Sequence, residues 1–290
     1  MSAANAANAA NATLPAGFGA PGVFARLRSW WGDVWVMTRR NMIHIRREPM
    51  QLSDVTIQPV LFTLLFIYVF GSAMVLKGGG SYKEFAIAGL LVMNLTTSTV
   101  GTAIGLSMDL TTGVIDRLRT LPMSPTAILV GRTLSDLAAA ALCTTIVVVT
   151  GLAIGWRPDA GLLSVLAGLG VGLLFSFALT WANACLGMSV SGAESAQGIV
   201  FIVIFPLAFV SNVFVPTQGM PAWLATIANW NPVSAVASAL RTLWGNPNPS
   251  SVIQAWPMQH PVTAAVCWSL LILAVSVPLA GRLYRRRTRD

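Results

Sequence analysis

The strongest constraint on this chain is a series of long apolar runs with almost no charged side chains. A bilayer core of about 30 Å is crossed by about 20 residues of helix. Val55 to Leu76 and Phe85 to Met108 each reach that length without a single charge. In lipid every backbone N–H and C=O must find a partner inside the protein, so runs of this kind specify helices. The expected fold is an all-α polytopic membrane protein with six transmembrane helices, at about 52–76, 85–110, 126–156, 160–190, 195–216 and 262–283.

Composition agrees. Charged residues make up only 10% of the 290 residues, against about 25% in soluble domains, and 55% are hydrophobic. Cys143, Cys185 and Cys267 each lie inside an apolar run, which suggests neither a disulfide framework nor a thiolate metal site. His44 and His260 are far apart and expected on opposite sides, so no metal or His-based catalytic centre is indicated.

Residues 1–20 are rich in Ala and Asn and carry no charge, and are expected to be a disordered tail with no secretory pattern. Residues 21–290 form one transmembrane domain. Its first part, 23–47, interleaves Phe24, Trp31, Trp35 and Ile45 with six arginines, the pattern of an interfacial helix whose Arg side chains reach phosphate. Ser81 with Glu84 and Ser191 with Glu194 have capping-box spacing and are expected to open the second and fifth spans.

Between Pro216 and Pro261 the chain stays apolar but is broken by Pro221, Asn231-Pro232, Gly245, Pro247, Pro249 and Pro257. No straight span tolerates this. Two short outward-facing, re-entrant helices are expected within about 221–244, the second capped by Asn231 and ended by Gly245.

Charge placement sets the orientation. Six spans put both termini on one side. That side collects the six arginines before the first span, Arg117, Arg119 and Arg132, and five in the C-terminal tail. Lys77, Lys83, Arg157 and Arg241 fall on the other side. The positive-inside rule therefore places both termini, and the segment from Asp109 to Asp136, in the cytoplasm. The net charge of +8 thus reads as topology and membrane-lipid contact, not nucleic-acid binding.

Within Asp109–Asp136, Gly113 ends one helix. Val114, Ile115, Leu118 and Leu121 then recur with Asp116, Arg117 and Arg119 as a short amphipathic surface helix, stopped by Pro122. Ser124 and Pro125 have the chemistry of a new helix start. Arg132 and Asp136 are expected to pair within that helix.

The run GVIDRLRTLPMSPTAILVGRTLSDL resembles the cytoplasmic coupling segment of ABC type-2 exporter permeases, most closely the daunorubicin-resistance DrrB-like branch. FPLAFVSNVFVPTQGMPAWLATIANWNPVSAVASALRTL, from Phe205 to Leu243, resembles the C-terminal half of the same family. The resemblance implies a permease that moves a hydrophobic or amphiphilic small molecule, drug or lipid, out of the cell across a bacterial plasma membrane. It implies two copies of a separate ATPase subunit that bind ATP and Mg, and a second permease copy or paralogue as dimer partner. The coupling role falls on Ile115, Asp116, Arg117, Leu118, Arg119, Leu121 and Pro122, and the first, second and fifth spans are implied to lie near the dimer axis.

The sequence itself contains no G-x-x-x-x-G-K-[ST], and its two lysines, Lys77 and Lys83, are on the expected outer side, so ATP hydrolysis belongs to a partner chain. No cofactor site is indicated in this chain, which is not read as an enzyme. Substrate-path candidates are Asn94, Ser98 and Thr102 on one face of the second span, with Phe201, Phe205 and nearby Asn212 on the fifth. The small-residue ridge of the fourth span, from Gly168 to Gly187, is assigned to helix packing. A lipid or polysaccharide exporter of the same architecture is the alternative. A membrane-embedded enzyme or an ion-coupled carrier is a third class, disfavoured because no charge sits clearly at mid-membrane.

Overall fold

The computed structural model describes residues 23–47, 49–71, 81–113 and 125–287, and among these every regular element is a helix. In chain order the α-helices are α1 (Val23–Arg47), α2 (Pro49–Phe70), α3 (Tyr82–Ser98), α4 (Val100–Thr111), α5 (Pro125–Ala153), α6 (Leu162–Ser189), α7 (Ala193–Phe209), α8 (Ala222–Trp230), α9 (Pro232–Trp244), α10 (Trp256–Gln259) and α11 (Pro261–Arg287), with short 3-10 turns at Thr217–Gly219 and Pro249–Val252.

Among the described residues five stretches are long and apolar enough to cross a membrane: Ser53–Phe70, Tyr82–Thr111, Ala127–Ala153, Leu162–Ser189 and Pro261–Arg287. The span expected at about 195–216 is shorter. Its helix, Ala193–Phe209, has 17 residues and ends at Val210. Pro206 lacks an N–H and weakens the last turn. The Asn231 amide fixes the stop from outside, donating to the carbonyls of Leu207 (2.7 Å) and Val210 (2.5 Å). The start also differs from expectation. Gly192, at φ 94°, is the N-cap of α7, and the Ser191–Glu194 capping box does not form. Ser81 does precede α3, but only its carbonyl engages the first turn, accepting from the N–H of Glu84 at 3.1 Å.

The α3–α4 span is bent at Thr99, and its sequence explains the bend. Thr96, Thr97, Ser98 and Thr99 all turn their hydroxyls back onto carbonyls three or four residues earlier, which loosens the helical ladder. Asn183 on α6 then donates to Thr99 Oγ1 at 2.7 Å and holds the bend in place.

This bent span is the most enclosed of the five, and α6 is its main wall. Gly168, Gly172 and Gly187 of the α6 ridge are each a contact. A Cβ at Gly168 would lie 2.6 Å from the Trp244 indole nitrogen, one at Gly172 3.1 Å from Leu95, and one at Gly187 would run into the backbone of Ala103. Small residues here let backbones approach where lipid offers no hydrophobic drive.

Two ends of the bundle can be distinguished. At one, the root end, α4 stops and α5 starts, leaving residues 114–124 between them. Gly113, at φ 67°, ends the first of these helices as expected. Arg287 on α11 caps the α6 terminus there, donating to the Met188 carbonyl at 3.1 Å, and α1 packs across α5. A Cβ on Gly131 would sit 2.5 Å from that of Met37. At the other, the cap end, α8, α9 and α10 fold over the start of α3 and the loop between α5 and α6.

Candidate functional site

The cap end is organised by a buried arginine. Arg241, on α9, is completely enclosed. Its Nε donates to the Phe85 carbonyl at 3.1 Å, and its Nη2 donates to those of Asn212 (3.0 Å) and Val213 (3.1 Å). The guanidinium carbon stands 3.7 Å from the centre of the Phe85 ring. Nη1 has no partner among the described residues, and no carboxylate is paired with this cation there. Directional hydrogen bonds and a cation–π contact therefore offset the large cost of desolvating the charge.

Around it the polar groups are closely knit. Asn212 donates to Ser238 Oγ (2.7 Å) and Ser250 Oγ (3.0 Å), and its backbone N–H to Ser234 Oγ (2.9 Å). Asn231 Oδ1 accepts from the Val233 N–H at 2.8 Å, and Gly245 closes α9 at φ 71°, the two caps expected from the sequence. Trp156 and Trp244, with ring centres 5.2 Å apart, wedge the α5–α6 loop against α9.

The root end holds a second arginine in a different setting. Arg132, in the second turn of α5, faces Asp136 on its own helix (3.4 Å) and Asp109 on α4 (3.7 Å). Its Nη2 also donates to the Gly101 carbonyl at 3.2 Å. Thr102 on α4 donates to Asp136 Oδ2 at 2.7 Å. The guanidinium lies directly over Gly105, where any Cβ would collide with it. The pairing within α5 is the expected one; its extension to α4 is new. The side chains of Arg132, Asp109 and Asp136 retain 22%, 30% and 16% of their exposure, so this network is largely covered but not sealed.

The substrate-path candidates separate on inspection. Asn94 is partly exposed and Ser98 exposed, on an open polar strip of the bent span that continues to Gly101. Thr102 turns away from it, buried against Asp136. Phe201 and Phe205 are about half exposed on α7, with Phe205 stacked on Phe209 at 4.2 Å. Asn212 is fully buried in the cap network. Ile115, Asp116, Arg117, Leu118, Arg119, Leu121 and Pro122 lie outside the described residues, as do residues 1–22.

Two residues were not recognised for what they do. By charge placement alone Arg241 reads as an outer-side charge, although it falls on the apolar stripe Val233, Val236, Ala237, Leu240 and Trp244 of its helix, a sign that it points inward. Asp109 marked only a boundary, since nothing local in the sequence links it to Arg132.

Among the described residues the protein is an all-helical bundle with five long apolar spans and a shorter sixth apolar helix. The chain belongs to the ABC-2 type transporter family, whose pattern matches residues 32–243. It is a multi-pass membrane permease without an ATPase domain of its own. It is similar to the daunorubicin resistance ABC transporter permease protein DrrB1 of Streptomyces coeruleorubidus, 35% identical over 86% of this chain and 84% of that one. It is also similar to the probable doxorubicin resistance ABC transporter permease protein DrrC of Mycobacterium tuberculosis, 22% identical over 90% and 91%. A third relative is the putative transport permease ycf38 of Porphyra purpurea, at 26% over 74% of each chain.

Proposed function

We propose that this chain is the permease of a drug-exporting ABC transporter, moving a hydrophobic or amphiphilic molecule of the daunorubicin type outward across a bacterial plasma membrane. The observation that carries this is the likeness over nearly the whole chain to a permease named for daunorubicin resistance. On this reading α7 completes six spans, and the root end, with both termini, is cytoplasmic, in keeping with the fourteen arginines assigned to it. Two copies of a separate ATPase bind ATP and Mg, and a second permease copy or paralogue completes the pathway. Asn94 and Ser98 supply a polar lining, and Phe201 and Phe205 supply aromatic contact for a flat ligand.

Residues 114–124 are the point where the ATPase acts. Ile115 and Leu118 fill a groove on its surface, while Asp116, Arg117 and Arg119 set orientation at the rim and Pro122 ends the segment. Truncating a buried interface anchor commonly costs about 2 kcal/mol or more, whereas rim charges mainly alter association and salt dependence. Leu118→Asp is therefore expected to abolish recovery of the ATPase in a pull-down, with membrane insertion intact. Leu118→Ala should bind weakly, and Arg117→Ala and Arg119→Ala nearly normally. Normal ATPase recovery and normal daunorubicin efflux by Leu118→Asp would refute the coupling role.

A further inference from the structure

Residues 114–124 have two roots, the end of α4 and the start of α5. The two helices are held very differently. α4 packs along α6 and α7 and touches α5 only lightly, while α5 packs against α1, α2, α3 and, less closely than α4 does, α6. α6 and the α3 part of the span link the two roots indirectly, but direct apolar packing between α4 and α5 is slight, so a push on residues 114–124 meets little direct resistance to displacing one root relative to the other. Polar contacts bridge this gap. Arg132 on α5 reaches Asp109 (3.7 Å) and the Gly101 carbonyl (3.2 Å) on α4, and Asp136 on α5 accepts from Thr102 (2.7 Å) on α4. Gly105 leaves room for the guanidinium to lie flat on α4.

We propose that Arg132 is a positioning residue for transport. It ties the two roots of the ATPase-contacting segment, so that a displacement of that segment moves α4, and the polar strip of Asn94 and Ser98 above it, together with α5. The inference rests on the coupling role proposed for residues 114–124. Ion pairs that keep part of their exposure, as these do, add only modestly to folding stability, well short of the cost of breaking a fully buried pair. What the tie supplies is a fixed relation between two helices that otherwise scarcely meet, at the one place where force enters. The position next to Gly105 also explains why an arginine serves here: its planar fork reaches two carboxylates and a carbonyl at once, which a lysine ammonium does less well.

The test uses the full chain co-expressed with its ATPase and reconstituted in vesicles, with daunorubicin as probe. ATP hydrolysed and probe moved are measured together. In Arg132→Gln and in Asp109→Asn, probe moved per ATP is expected to fall about fivefold or more, with ATPase recovery in pull-down and the melting midpoint unchanged. Arg132→Lys should restore part of the ratio. An unchanged ratio in both Arg132→Gln and Asp109→Asn would overturn the proposal. So would a fall that merely follows the loss of melting midpoint across the three variants, because that is the behaviour of a stabilising contact. If the unaltered chain neither recovers the ATPase nor moves probe, the coupling role itself fails, a result separable from the failure of the tie.

Discussion

The two ends of this permease each hold an arginine against the same bent span, and they do it by opposite means. Arg241 is sealed from solvent, bound by three backbone carbonyls and a phenyl face. Arg132 is partly exposed and lies between two carboxylates. A glycine of the span admits each one: a Cβ at Gly89 would be 3.0 Å from Arg241 Nη2, and one at Gly105 would strike Arg132. The difference lies in what it costs to let go. Opening the cap contact exposes desolvated carbonyls and strips a buried cation of its partners, which is heavily penalised. Opening the root contact returns charges to water or lipid headgroups, at a cost closer to that of a surface pair. The cap contact is the costlier of the two to open.

The largest effect should come from removing the cap arginine. Arg241→Met leaves the carbonyls of Phe85, Asn212 and Val213 buried without their donors, each worth about 1–3 kcal/mol. The folded protein recovered in mild detergent should drop steeply, with a much lower melting midpoint in what remains. Arg241→Lys should rescue it poorly, because one ammonium cannot reproduce the fork. Arg132→Gln should leave the midpoint almost where it was. Similar midpoints for Arg241→Met and Arg132→Gln would remove the contrast between the two ends.

The paired glycines sharpen the comparison at the next level. Gly89→Ala drives a methyl into the backbone carbonyl of Val213, which cannot move without displacing the end of α7. Overpacking of that kind commonly costs about 1–3 kcal/mol. Gly105→Ala meets only the tip of a flexible arginine, which can swing away. The first variant should therefore lower thermal stability, and the second should spare stability while lowering efflux. Equal destabilisation by both would mean that the root end is as rigid as the cap.

How much of this the sequence disclosed depends on the range of the interaction. Local chemistry was legible: Gly113 and Gly245 as helix stops, Asn231 as the cap of α9, and a helix start at Pro125 follow from neighbours a few residues apart. The short α7 was not, because its end is fixed by Asn231, which approaches from 21 residues away. The capping box at Ser191 failed for a different reason. The pattern is present, but Gly192 takes a conformation open to glycine and displaces the cap. The arginine networks were the least legible. Arg241 and Phe85 are 156 residues apart, and no periodicity within one helix announces a partner on another.

The smallest predicted effect is also the most discriminating, because it concerns a residue with two readings. In the sequence Thr102 shares a helix face with Asn94 and Ser98 and was placed on the substrate path. In the structure its hydroxyl is buried and donates to Asp136. Thr102→Val keeps the shape and removes one charge-assisted hydrogen bond, a change of about 1.5 kcal/mol, the low end for a bond to a charged group because Arg132 continues to hold the carboxylate. If Thr102 belongs to the tie at the root end, the variant should lower probe moved per ATP slightly, leaving the half-saturating concentration of daunorubicin unchanged. A path-lining Thr102 would behave in reverse, with an altered half-saturation and an intact ratio. Ser98→Ala provides the reference: exposed on the open strip, it should shift half-saturation alone. If Thr102→Val and Ser98→Ala shift the same parameter, the two residues do the same job and the boundary drawn between path and root would have to move.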